Sequence, residues 1–122
     1  MVEDICSPDI ANKLRTDMGE RLKDKVAVIT GSGSGIGRAV AIVMASEGAK
    51  VITNNRASTP TGNAEVVAKE IVDAGGTAIP VFADVSKMED CRRLIQTALD
   101  EFGQIDVMVN CAGFYRDMPI SR

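Results

Sequence analysis

Histidine and tryptophan are absent from the 122 residues, and tyrosine occurs once, as Tyr115. Without histidine there is no Ser-His-Asp triad, no Cys-His pair and no His-ligated zinc. Cysteine is scarce: Cys6, Cys91 and Cys111 are odd in number and far apart. That pattern speaks against a disulfide framework or a cysteine-bound metal and for reduced, mostly buried thiols. No apolar run is long enough to span a bilayer. Basic charge is also short, 14 Lys and Arg against 17 Asp and Glu, for a net charge of −3. Nucleic acid and anionic membrane both need a basic face and are not expected partners. The start, Met1-Val2-Glu3-Asp4, lacks the basic-then-apolar order of a signal peptide, which makes the cytosol the expected compartment.

What the sequence has is glycine, concentrated in one place. Val26-Ala27-Val28-Ile29 is a short run rich in β-branched residues and apolar on both faces, as suits a strand buried in a parallel sheet. Gly31, Gly33, Gly35 and Gly37 follow with small residues between them. Ile36, Val40, Val43 and Met44 then recur at helical spacing and mark an apolar stripe on a helix from Gly35 to Ser46. Strand, glycine turn and helix together make a diphosphate site. The helix N-terminus offers unpaired N–H groups and partial positive charge, and glycine lets the backbone come close. The fingerprint G-x-G-x-x-G fails, because its third glycine would fall on Ile36 or on Arg38. A P-loop fails too, since no Gly-Lys-Ser/Thr closes the run.

The rest of the chain repeats the alternation. Residues 1–24 form a polar extension, with a short helix expected over Pro8–Met18. After the first helix, Gly48 stands at a helix end and Lys50 to Thr53 reads as a second strand. Beyond the loop Ala57 to Gly62, Ala64, Val67, Ala68, Ile71 and Val72 mark a second helix, which Gly75-Gly76 stops. Thr77 to Ala83 is a third strand, and Pro80 within it predicts a sheet edge. Ser86-Lys87-Met88-Glu89 reads as a capping box opening a third helix to Phe102, with Met88, Cys91, Ile95, Ala98 and Phe102 as its stripe. Gly103 ends that helix, and Ile105 to Val109 is a fourth strand. The expected fold of residues 25–122 is therefore α/β, a doubly wound parallel sheet of Rossmann type with strand order 3-2-1-4. Its ligand crevice would lie at the carboxyl ends of the first and fourth strands.

The pattern that does fit the turn is Thr30-Gly31-x-x-x-Gly35-Ile36-Gly37, and with Asp84-Val85 and Asn110-Cys111-Ala112-Gly113 it resembles the short-chain dehydrogenase/reductase family. The closest style is that of 3-oxoacyl-carrier-protein reductases. The family's fourth-strand signature is Asn-Asn-Ala-Gly, from which Cys111 departs. The resemblance implies a nicotinamide nucleotide as cofactor. Gly31, Ser32, Ser34, Gly35, Ile36, Gly37 and Arg38 would stand at the diphosphate end. Asp84 and Val85 would cradle the adenine, while Asn110, Ala112 and Gly113 would line the nicotinamide ribose side. Asn55 stands where NAD-dependent members usually carry Asp, and Arg56 follows it. Gly37 to Asn55 is close to the expected separation of about 20 residues. With Arg38 as a second cation, the charge logic of Arg–phosphate pairing favours NADP over NAD.

The resemblance further implies hydride transfer between the coenzyme and a small carbonyl or alcohol substrate, with a Tyr-x-x-x-Lys pair as acid and base. Here Pro119 stands four residues beyond Tyr115, so no catalytic residue is assigned. The expectation is the coenzyme-binding half of a reductase whose full-length relatives are usually homo-oligomers. On its own it is expected to be marginally stable, prone to association through the open edge of the fourth strand, and inactive. The other reading is a non-catalytic nucleotide-binding or interaction module.

Overall fold

The computed structural model describes residues 19–57 and 62–113. They form β1 (Val26–Thr30), α1 (Gly35–Ser46), β2 (Lys50–Asn55), α2 (Ala64–Asp73), β3 (Thr77–Phe82), α3 (Met88–Phe102) and β4 (Val107–Asn110). The sheet is parallel throughout, in the order β3-β2-β1-β4. β1 sits beside both β2 and β4, with Val28 opposite Ile52 on one side and Met108 on the other. β3 is an edge strand, and there Pro80 stands opposite Thr53. The helix expected over Pro8–Met18, Tyr115 and Pro119 lie outside the described residues.

β1 is buried at every position because helices cover both faces of the sheet. Alternate residues feed two cores. Ala27, Ile29 and Val51 pack with Ala41 and Ala45 of α1 and with Val67 and Ile71 of α2. Val28, Ile52 and Val81 pack with Leu94 and Ala98 of α3 on the opposite face.

In α1 the apolar spacing marks a different stripe from the buried one, and in α3 it is right for Ala98 and Phe102, which join the core, but not for Met88. In α1 the buried residues are Gly37, Ala41 and Ala45, while Ile36 and Val43 are 79% and 60% exposed. Val40 and Met44 are partly buried beside that core. Small side chains at i, i+4 and i+8 let the helix axis approach the sheet, and clearance decides which face turns inward. In α3 Met88 is exposed, and Leu94 is the side chain that fills the core with Ala98. α2 buries Ala64, Val67, Ala68 and Ile71 as the periodicity says, with Val72 left exposed.

The capping box is also absent. α3 starts at Met88 with Lys87 as N-cap and no side-chain cap, and the Ser86 side chain turns back to Asp84. Asp90 is the first-turn acid with a structural task, accepting a hydrogen bond from the Asp84 N–H at 2.8 Å. The described part of the N-terminal extension is fastened to the end of α1. Gly19 and Leu22 donate backbone bonds to the carbonyls of Ser46 and Glu47, and Leu22 packs on the core.

Asp106 sets the β1–β4 register. Its carboxylate accepts from the Val26 N–H at 2.8 Å and from Gln104 Nε2 at 2.7 Å. The Val26 bond, more than the Gln104 bond or nearby Lys25, holds the carboxyl below its ordinary range. A depressed folded-state pKa contributes stability that is present above the unfolded value and is lost as pH falls through the folded one. Asp106→Asn is therefore expected to lower stability near neutrality, where the carboxylate contributes fully, and to flatten the acid limb of the stability curve below about pH 4. Urea midpoints measured across pH 2.5 to 7 check this; an unchanged acid limb would rule it out.

Candidate functional site

The strand order reverses at β1, with β2 on one side and β4 on the other. A crevice at the carboxyl ends of the strands, at such a reversal, is where doubly wound folds bind nucleotides. Four connections meet there, and each carries residues that the sequence singles out.

The glycine turn comes first, and its glycines have different tasks. Gly31 has φ +63, and a Cβ on it would lie 2.7 Å from the backbone of Ala112. A Cβ on Gly37 would strike the Gly31 carbonyl oxygen and come within 3.0 Å of Ser32 Cα. These two glycines serve close packing of backbone on backbone inside the protein. Gly33 lies against the backbone N of Asn63 and the carboxamide of Asn55. Only Gly35, with φ +59, faces open space, and it is the first residue of α1.

The first turn of α1 has neither a side-chain cap nor an acid. By contrast, Asn63 caps α2 and α3 carries Glu89 and Asp90. The leading N–H groups of Gly35, Ile36 and Gly37 thus lack a side-chain acceptor, in the field of a helix dipole. Ser34 is exposed, and its hydroxyl caps nothing. Ile36 is exposed next to it. Ser32 is fully buried; its hydroxyl donates to the Ile29 carbonyl and accepts from the Asn54 N–H, both at 2.8 Å. Ser32 therefore shapes the turn from inside and does not offer its hydroxyl to a ligand.

The β4 connection is tied to the same turn by Thr30, which the sequence places in the motif without a task. Its Oγ1 accepts from the N–H groups of Cys111 and Ala112, each at 3.2 Å. Asn110 stands opposite Thr30 in the register and is exposed, as are Ala112 and Gly113. Cys111 is a half-buried free thiol packed at the edge of the core, so the departure from the family signature changes a side chain that does not make the turn.

Asn54 is the residue that sequence reasoning missed. It is 1% exposed, and its Nδ2 donates to the carbonyls of Val81 and Ala83 at 3.0 and 3.1 Å. Its Oδ1 accepts from the Gly31 N–H at 3.3 Å. One carboxamide thereby joins the tips of β1, β2 and β3. An Asn inside an otherwise apolar and β-branched strand was the available signal, since Asn is depleted in strands.

The β2–α2 connection holds Asn55 and Arg56. Asn55 spends its carboxamide on Ala57, Gly62 and Ala64. Arg56 is exposed and close enough to Asp84 to help keep that carboxyl ionised. Arg38 does not share this position. Its guanidinium is paired with Glu70 of α2 at 2.6 Å, an exposed pair that links α1 to α2.

At the tip of β3, Asp84 accepts the Ser86 hydroxyl at 2.6 Å and the Ser86 N–H at 3.0 Å through one oxygen, Oδ1. The Ser86 hydroxyl is the main reason the carboxyl stays below its ordinary range, with Lys87 and Arg56 adding to it. It is a carboxylate, able to accept a further N–H. Val85 next to it has an exposed side chain, and its carbonyl accepts from the Cys91 thiol at 3.2 Å.

An open glycine on an uncapped helix start, a fixed carboxylate and a free arginine at adjoining strand tips define a dinucleotide-binding α/β unit. The unpartnered N–H groups at the start of α1 have the donor chemistry a diphosphate needs.

Comparison with known proteins narrows this class. The short chain dehydrogenase family matches residues 25–122, and the chain belongs to that family. It is 40% identical over 111 residues to peroxisomal multifunctional enzyme A of Dictyostelium discoideum, a match covering 86% of this chain and 24% of that protein. It is 46% identical over 95 residues to an uncharacterized oxidoreductase of Methylorubrum extorquens, covering 78% of this chain and 38% of the other. Among solved structures, a hydroxysteroid dehydrogenase from Escherichia coli superposes with a TM-score of 0.77 at 33% identity, over 84% of this chain and 42% of that one. The chain thus spans between about a quarter and two-fifths of these relatives. Dehydrogenases of this family take a nicotinamide coenzyme.

Proposed function

We propose that this chain binds NADPH in preference to NADH and is the coenzyme-binding half of a reductase. In the longer protein, hydride would pass between the coenzyme and a small carbonyl or alcohol. The observation that carries the reading is the first turn of α1: uncapped, free of acid, opened by Gly35, and placed at the reversal of strand order. Bound there, the nicotinamide nucleotide supplies the hydride. The chain's own residues hold it: the N–H groups of Gly35, Ile36 and Gly37 and the Ser34 hydroxyl at the diphosphate, Asp84 and Val85 at the adenine, and Asn110, Ala112 and Gly113 toward the nicotinamide ribose. Arg56 supports the choice of NADPH, since no acidic residue ends β2 and its guanidinium can pair with a 2′-phosphate.

Reduction of a keto group is proposed from the motif resemblance to 3-oxoacyl-carrier-protein reductases, and a homo-oligomer is proposed for the longer protein.

Arg56→Gln tests the coenzyme choice. The variant is expected to lose about tenfold in NADPH affinity, the worth of one charge-assisted pair, and to keep its NADH affinity. Fluorescence titration of both coenzymes reads this directly. Equal losses for both would remove the 2′-phosphate from the argument.

A further inference from the structure

Asn55 ends β2 with its carboxamide turned into the protein. Nδ2 donates to the carbonyls of Ala57 and Gly62 at 2.5 and 3.0 Å, and Oδ1 accepts from the Ala64 N–H at 2.9 Å. Both amide hydrogens are used, and the oxygen faces the one N–H among its three partners, which fixes the orientation of the group. These bonds join the two ends of the β2–α2 connection to each other. The connection in turn leans on the glycine turn. The Asn63 N–H donates to the Gly33 carbonyl at 3.1 Å, a Cβ on Gly33 would lie 3.0 Å from Asn55 Cγ, and one on Gly62 would lie 3.2 Å from Ser34 Oγ.

Arg56 stands inside this ring, between the residue that donates and the carbonyl of Ala57 that accepts. Its backbone is held on both sides, although its side chain is exposed.

We propose that Asn55 is a positioning residue for the coenzyme and not a ribose ligand: its carboxamide closes the ends of the β2–α2 connection and so aims Arg56 at the adenosine end of the site. The proposal rests on the reading of Arg56 as partner of the 2′-phosphate. It departs from the usual charge logic at this position, in which the side chain itself touches the ribose. An aspartate would not reproduce the bonds to the Ala57 and Gly62 carbonyls. A carboxylate has no donor and would set its oxygens against two carbonyls. Asn55→Asp therefore breaks the ring without becoming a ribose acceptor in the right place.

A double-mutant cycle on the full chain tests this, with NADPH and NADH titrated by fluorescence. Arg56→Gln alone is expected to weaken NADPH by about tenfold, Asn55→Ala alone by a similar factor, and the pair by no more than about twofold beyond Asn55→Ala, as coupled residues do. NADH affinity in Asn55→Ala is expected to change less than about threefold, whereas a general loss of structure would weaken both coenzymes alike. Multiplying effects of the two substitutions would overturn the proposal and leave the NADPH reading intact. An Arg56→Gln variant that binds NADPH normally would remove that reading, and the proposal with it. Should Asn55→Ala fail to melt cooperatively, Asn55→Ser takes its place in the cycle, since its hydroxyl can still accept from the Ala64 N–H. Asn55→Asp closes the test: no gain in NADH affinity is expected, and a tighter NADH complex would make Asn55 a direct ribose contact and overturn the proposal.

Discussion

Gly37→Ala is expected to abolish coenzyme binding and to cost about 2 kcal/mol or more of stability, at the upper end of what overpacking costs. The added Cβ would run into the Gly31 carbonyl oxygen and would lie 2.9 Å from the Gly31 carbonyl carbon and 3.0 Å from Ser32 Cα. All three are backbone atoms, so no side chain can rotate out of the way. Gly31 cannot retreat either, because its own far side is packed against the backbone of Ala112. The start of α1 must lift, which draws Ala41 and Ala45 out of the core and moves the helix N-terminus off its aim. Gly35→Ala is the contrasting variant. Its methyl meets nothing within 4 Å, so the strain of a positive φ, about 1 kcal/mol, is its stability cost. That methyl projects into the open space in front of the helix start, and binding should fall all the same. Urea midpoints beside NADPH titrations separate the two; a Gly37→Ala chain with a wild-type midpoint and normal binding would contradict the packing described.

Asn54→Leu is expected to cost about 3 kcal/mol, because it strands several buried groups at once, each worth roughly 1 to 3 kcal/mol when unpaired. The Val81 and Ala83 carbonyls would lose their donor, and the Gly31 N–H its acceptor. Leucine is also branched where the carboxamide is flat, so the buried site does not accept it by shape. Since Asn54 links three strand tips, the loss should extend to function, with the glycine turn and Asp84 no longer held at a fixed separation. The readout is again a urea midpoint with a coenzyme titration. A shift under about 1 kcal/mol would mean that these groups find water or other partners.

The order of elements, the parallel sheet and the edge position of β3 were legible in the chain because each rests on local chemistry. The glycine turn, the β-branched run before it and Pro80 each carry their meaning within a few residues. The buried faces of α1 and α3 were less legible. Periodicity ranks positions by how apolar they are, which selected Ile36 and Val43; the sheet selected Gly37, Ala41 and Ala45 by how little they protrude. In α3 the same habit gave weight to Met88 and passed over Leu94. The S-x-x-E pattern at Ser86 failed because the helix starts one residue later than the pattern needs, with Lys87 as N-cap, and the Ser86 side chain is oriented toward Asp84, to which it donates.

From its order of residues alone, this chain determined that a strand, a glycine turn and a helix would come together as a nucleotide cradle, repeated into a doubly wound sheet. The tertiary structure decided which polar groups remain for a ligand. Arg38 was paired with Glu70, 32 residues away, and Asn54 was committed to carbonyls 27 and 29 residues away. Asn55 was committed to the far end of its own connection. The physical reason is that a hydrogen-bonding side chain is free only until a partner reaches it, and most of these partners are brought near by the packing of other elements.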